Sequence, residues 1–339
     1  MLVLVIAVAG CTAATEAPNG DSEGTPGTSE SAQDQTTSDG EVDVEGLIDT
    51  LLHNENPEER WWAAAALGDS GDTRAVGALI QALKQDEHGD VRSQAAWALG
   101  QIGDPEAVPE LIRATEDREE GVRWQAARAL GEMGDLRAVE PLCRALREDH
   151  APYVRHHAAW ALGEIGSESA VEPLIEALES DASSYVRHDV AVALGAIGDM
   201  RSVEPLIDAF QDGDAKVRWE VVKALAEIGE AAVEPLVSAL QTGPDDIPWF
   251  AAFSLEKIDS PEAERGVDEF LRARDISLEE VSGNYMRDWS YEVMVLSLER
   301  HGTTDMARYY ARLAPEQFED INHWLIVVEA AEDWLREHS

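Results

Sequence analysis

Two histidines near the middle of the chain occupy positions where their side chains could bind a metal ion. His156 and His188 each follow an Arg by one residue, and Asp189 and Glu220 follow equivalent Arg residues by two. Imidazole nitrogens and carboxylates bind transition metals, so His156, His188, Asp189 and Glu220 are candidate ligands. Exposed His residues on helices are more often only polar, so we predict no bound metal and no cofactor.

The sequence contains no other pattern of catalytic residues. It has no nucleophile elbow, phosphate-binding loop, Cys-x-x-Cys pair or zinc-binding spacing. Its formal charge is -42, from 68 acidic and 26 basic residues, so its surface repels phosphate backbones and anionic lipids. Nucleic acid is therefore not an expected partner. Strong acidity with only four Lys is typical of halophilic proteins that work in concentrated salt.

Most of the chain is a repeated unit with a period of 31 or 32 residues. Val-Arg pairs begin at residues 91, 122, 154, 186 and 217, and VRHHAAWALGEIGSESAVEPLI is one copy. The first part of each copy predicts a helix that ends at Ile-Gly, because Gly allows a left-handed cap. The second part begins at Asp or Ser and carries Pro in its first turn, so it predicts another helix. Each unit is therefore a predicted helical hairpin.

The signature VRxxAAxALGxIGD resembles the HEAT repeat, and more narrowly the repeats first seen in phycobilin lyases. The resemblance implies an all-α fold, an α-solenoid of about seven HEAT-like hairpins over residues 43–275, with the first helices lining a concave face. Residues 276–339 leave the period but keep helical spacing, so they predict a C-terminal helical cap. Many unrelated proteins use this scaffold, so the resemblance says less about function.

One face of the predicted first helices carries a row of aromatic side chains. At 100° per residue, the positions one and five after the repeat Arg lie opposite the apolar core face. Six of the ten Trp residues occupy these positions. The predicted partner-binding residues are Trp61, Trp97, Trp124, Arg128, His156, Trp160, His188, Trp219, Lys223, Trp249 and Phe253. The alternative is that the Trp side chains pack between neighbouring repeats and only add stability.

The resemblance also implies an enzymatic alternative. Deoxyhypusine hydroxylase has similar repeats and binds iron through His-Glu pairs one and two residues after the Arg. Only His188-Asp189 approaches such a pair here, and His156-His157 lacks the carboxylate. Phycobilin-lyase-like activity is a further alternative, which nothing outside the shared repeat favours.

Charged residues also recur at fixed positions of the repeat. Arg92, Arg123, Arg155, Arg187 and Arg218 share one position, and Asp72, Asp104, Asp135 and Asp199 share another, in the loop before the second helix. We expect these Arg and Asp residues to pair in a ladder between repeats. Cys143 occupies a position that is Ile or Val in other repeats, so it is expected to be a small core hydrophobe.

The N-terminal residues predict export and lipid attachment. A short apolar run precedes Val8-Ala9-Gly10-Cys11, which resembles the lipobox of prokaryotic lipoproteins, so residues 1–11 are a predicted signal peptide with lipidated Cys11. Residues 12–42 are rich in Thr, Ser, Gly, Glu and Asp and predict a disordered acidic linker.

Together these patterns predict a non-catalytic scaffold for protein-protein interaction, held outside the cell on the membrane by lipidated Cys11. We expect a monomer whose concave Trp/His face binds a protein or peptide, with membrane contact only through the lipid.

Overall fold

A computed structural model describes residues 43–244, 247–258 and 260–273, with helical residues 328, 330–332 and 335–336. Within these residues the chain forms fifteen α-helices and no strand. None of the helices in the described ranges is long and apolar enough to cross a membrane. The predicted signal peptide and linker lie outside the described residues, as does nearly all of the predicted cap.

The helices form seven hairpins in sequence, preceded by one further helix. Helix α1 spans Val44–His53 and packs on the first hairpin. The first helices of the hairpins are α2 (Pro57–Ser70), α4 (Gly89–Ile102), α6 (Glu120–Met133), α8 (Pro152–Ile165), α10 (Ser184–Ile197), α12 (Ala215–Ile228) and α14 (Ile247–Lys257). The second helices are α3 (Val76–Gln85), α5 (Val108–Ala114), α7 (Val139–Glu148), α9 (Val171–Ser180), α11 (Val203–Asp208), α13 (Glu230–Thr242) and α15 (Pro261–Ala273). This arrangement confirms the predicted α-solenoid.

The core lies between the layer of first helices and the layer of second helices. Leu162 of α8 and Leu174 of α9 are fully buried there, and equivalent Leu residues are fully buried in neighbouring hairpins. Cys143 is also buried, as expected, and this burial raises the pKa of its thiol to about 11. Five first helices end at a Gly with φ between 64° and 71°, the left-handed cap that the sequence indicated.

The Asp residues that precede the second helices do not form the expected ladder. The side chains of Asp72, Asp104, Asp135 and Asp199 each accept a hydrogen bond from the backbone N–H two residues later. Each therefore caps a short 3-10 turn that leads into the second helix. Their carboxylates are committed to these local bonds, so the predicted pairing with the repeat Arg residues is wrong.

A ladder does exist, with Asp residues that follow the second helices. Arg155 binds Asp181 through two hydrogen bonds, and its Nη1 donates to the Asp149 carbonyl in the preceding linker. The equivalent pairs are Arg60–Asp86, Arg92–Asp117, Arg123–Asp149 and Arg187–Asp212, with closest distances of 2.6–2.7 Å. Each linker thus receives one Arg through its Asp side chain and the next Arg through its carbonyls, so the ladder is continuous.

Adjacent first helices touch at a glycine and an alanine. A Cβ added to Gly163 would lie 2.9 Å from the Cα of Ala193, closer than real Cβ atoms come. The same contact joins Gly68 to Ala98, Gly100 to Ala129, Gly131 to Ala161 and Gly195 to Ala224. Second helices contact one another more sparsely. The stack therefore curves with the first helices on its inner, concave side.

We expect Gly163→Ala to destabilise the protein although Ala is the better helix former. The added methyl would press on the Ala193 backbone, at a cost of roughly 1–3 kcal/mol. Gly77→Ala in α3 is the matched control, because its Cβ would meet nothing within 4 Å and should add up to about 1 kcal/mol. Urea unfolding followed by circular dichroism measures both. Equal effects of the two substitutions would contradict the close contact.

Candidate functional site

The residues one position after the repeat Arg reach across to the next repeat. The Trp124 ring on α6 stacks on His157 of α8, with centroids 4.9 Å apart. Trp219 on α12 meets Phe250 of α14 edge-on at 5.8 Å. In both pairs the second member lies two positions after the Arg position of its own repeat. These side chains therefore fill seams between first helices.

Two central seams follow the same rule with charged groups. His156 Nδ1 lies 2.7 Å from Asp189 Oδ2 on the next helix, and His188 Nε2 lies 3.5 Å from Glu220 Oε2 on the one after it. His188 Nδ1 also lies 2.8 Å from Asp189 Oδ1. Lys223 Nζ completes the row, 3.1 Å from Glu220 Oε2. Positive and negative groups thus alternate across α8, α10 and α12.

The four candidate metal ligands meet as ion pairs within this row. Asp189 contacts His156 through one oxygen and His188 through the other, while Glu220 contacts His188 from the next helix. Within the described residues, no three His, Cys, Asp or Glu side chains are grouped so that they could hold a metal ion.

Most predicted Trp side chains are half-buried between repeats. A Cβ on Gly131 would lie 2.9 Å from Trp160 Cζ3, and one on Gly68 would lie 2.8 Å from Trp97 Cζ3, so both rings rest on the preceding helix. Trp61 packs edge-on against its neighbour Trp62. The contacts support the alternative that Trp side chains stabilise the stack.

Phe253 is not on the open face where the sequence placed it. Only 5% of Phe253 is exposed, and its ring stacks on Trp219 with centroids 5.5 Å apart. Trp249 packs edge-on against Phe270 of α15. The correction has a simple cause: the next helix of the stack covers part of the face that a single helix would leave open.

Two exposed tyrosines on the first helices escaped the sequence analysis. Tyr153 and Tyr185 lie two residues before the repeat Arg at the start of α8 and α10, and they are 50% and 62% exposed. That position lies 160° behind the Arg on a helical wheel, close to the 140° of the fifth position after it. Extending the angular argument one turn backwards would have found them. Arg128 and Lys223, predicted correctly as exposed, pair with Glu132 and Glu220.

The ion-pair row shifts the pKa values of its members. Hydrogen bonds to Asp189 and Glu220 raise the pKa of His188 to about 9 despite its burial. Burial alone would raise the pKa values of Asp189 and Glu220, but their bonds to the histidines and Lys223 outweigh it and lower both. Burial lowers the pKa of His157 to about 3, helped by nearby His156 and Arg128. At neutral pH His188 is therefore a cation and His157 is neutral.

Comparison with known proteins supports the repeat assignment. The family model of HEAT repeats matches residues 44–121, 108–195 and 171–256. No curated protein sequence matches the chain.

Solved structures show the same fold at low sequence identity. The Kap95:Nup1 complex matches with a TM-score of 0.55 and 15% identity over 86% of this chain and 45% of the other. CpcE and CpcF of phycocyanin lyase from Nostoc sp. PCC7120 match with a TM-score of 0.43 and 24% identity, over 76% and 99%. Human deoxyhypusine hydroxylase matches with a TM-score of 0.35 and 21% identity, over 87% and 96%. At these identities the likeness concerns the fold alone.

The ion-pair row predicts a titration that NMR can follow. We expect the imidazole signals of His188 to titrate near pH 9, and Asp189→Asn to lower its pKa towards the ordinary ~6.5. Glu164→Gln, at an exposed carboxylate of α8, is the control that should leave it unchanged.

The same shift has a consequence for stability. Because the folded pKa of His188 lies above the unfolded value, its contribution is complete below about pH 6.5 and is lost as the pH rises through about 9. Asp189→Asn should flatten this part of the stability profile. A wild-type His188 that titrates near 6.5 would show that the row does not form.

Proposed function

Because the chain belongs to the HEAT-repeat family, we propose that it is a non-catalytic scaffold that binds a protein segment on its inner layer of first helices. The carrying observation is that Tyr153 and Tyr185 stand exposed on adjacent first helices. Within the described residues only four large hydrophobic side chains are exposed, and these are two of them. Neighbouring exposed aromatic side chains are typical of interaction surfaces.

The spacing of the repeats favours an extended partner segment. Packed helices lie roughly 8–10 Å apart, and an extended chain advances about 3.3 Å per residue. Every third residue of such a segment would therefore meet the same position in the next repeat. The row from Trp124 to Lys223 supports the surface from beneath, and Arg128 and Lys223 offer exposed cations at its edge.

The ion pairs favour a scaffold over the hydroxylase alternative. A hydroxylase of the related type would direct several His and carboxylate groups to one metal. Here Asp189 is shared by His156 and His188, and Glu220 by His188 and Lys223. These carboxylates neutralise positive charge between helices, which supports a role in holding the stack.

Photo-crosslinking in the native host tests the proposal. A benzoylphenylalanine in place of Ala196, exposed on α10, should give discrete crosslinks to a partner protein. The matched control is Glu179, which is exposed on α9 in the layer of second helices and should give none. Equal crosslinking from both sites, or none from Ala196, Gln101 and Glu164, would contradict the proposed surface.

We also propose that lipidated Cys11 anchors the protein on the outer side of the cell membrane. The support is the apolar run followed by Val8-Ala9-Gly10-Cys11. Cys11→Ser should move the protein from the membrane fraction to the soluble fraction, because the acyl chains would be lost. Cys143→Ala is the control, since that thiol is buried in the core and should not affect fractionation. Membrane retention of Cys11→Ser would exclude the anchor.

A further inference from the structure

Three rings form an open corner on the inner layer, at the seam between α6 and α8. The rings of Trp124 and Tyr153 lie 5.3 Å apart and meet at 75°, so they make two walls. His157 closes the base, stacked on Trp124 at 4.9 Å and edge-on to Tyr153 at 4.7 Å. Half of Tyr153 is exposed, so the corner opens to solvent. We call Trp124, Tyr153 and His157 the aromatic corner.

The surroundings of the aromatic corner favour a positive ligand. The faces of aromatic rings carry negative potential and attract cations. The nearby cation Arg128 is paired with Glu132, and His156 contacts Asp189. Glu120 lies one turn before Trp124 on α6, is exposed, and forms no ion pair within the described residues. The protein carries a formal charge of -42, so its long-range field also draws cations and repels anions.

We infer that the aromatic corner binds the guanidinium group of an arginine in a basic partner segment. This inference rests on the proposed function and names the chemistry of the partner. Guanidinium is planar and weakly hydrated, so it stacks on an aromatic face better than the compact ammonium of lysine does. Stacking persists in concentrated salt, where long-range attraction is screened. Glu120 supplies a carboxylate within one helical turn of the ring.

Tyr185 provides an internal comparison. It occupies the same position on α10 as Tyr153 on α8 and is similarly exposed. Within the described residues Tyr153 has three ring partners, Trp124, His156 and His157, whereas Tyr185 has none. If exposure alone attracted the partner, the two tyrosines would contribute equally. If the corner matters, Tyr153 contributes more.

Binding of synthetic peptides tests the inference. The probe is a fluorescein-labelled peptide of four Gly-Ser-Arg units, compared with versions that carry Lys, Glu or citrulline, the neutral isostere of Arg. Fluorescence polarisation should rank Arg above Lys and both above citrulline and Glu, in dilute salt and in about 2 M salt. Tyr153→Ala should weaken binding of the Arg peptide about three- to fivefold, while Tyr153→Phe retains it. Tyr185→Ala should change it less than twofold.

The outcomes separate this inference from the proposed function. Tyr153 is half exposed, so Tyr153→Ala should keep the wild-type melting temperature, which confirms that lost binding is not unfolding. Citrulline binding as tightly as Arg, no binding of the Arg peptide, or an unchanged affinity in Tyr153→Ala would each overturn the inference. If such a result accompanied partner crosslinks at Ala196, the scaffold function would stand and only the basic chemistry of its partner would fail. If the peptides bound as expected without crosslinks, the scaffold function would fail and the cation site would stand.

Discussion

The contact between a glycine of one first helix and an alanine of the next is the constraint on which the rest of the solenoid depends. Neither residue has a side chain long enough to separate the helices, so their backbones approach until a Cβ at the glycine would lie 2.8–3.0 Å from the neighbouring Cα. Packing this close on one layer alone makes the stack curve. It also brings the residues beside the contact within reach of the next repeat, and those residues form the seams.

The seams show how a repeat protein can fix the order of nearly identical units. Small-residue contacts are the same in every repeat and cannot distinguish one neighbour from another. The pairs beside them differ: Trp124 with His157, His156 with Asp189, and His188 with Glu220. Half-buried ion pairs add little net stability, but an incorrect neighbour would leave a buried charge unpaired, at a cost of several kcal/mol. The central pairs therefore contribute more to specificity than to stability.

The sequence was sufficient to predict the helices and their order because glycine caps and early prolines mark helix ends locally. It was insufficient for the faces. A helical wheel assumes one buried side and one free side, whereas a first helix in this solenoid is flanked on both sides. Phe253 is buried for that reason, and the free arc shifts to the line of Tyr153, Tyr185 and Ala196. Local capping likewise claimed Asp72 and its equivalents, which a search for recurring charges cannot anticipate.

A narrow free arc also limits how the inner layer can bind. Each first helix offers few side chains between its two seams, and most cations there are already paired, as Arg128 is with Glu132. One repeat can therefore supply only a small part of a binding energy. A partner must contact several repeats at once to bind tightly, and the linked contacts then reinforce one another. Affinity should consequently depend on the length of the bound segment more than on any single residue, because the stack presents one modest site per repeat along a rigid line.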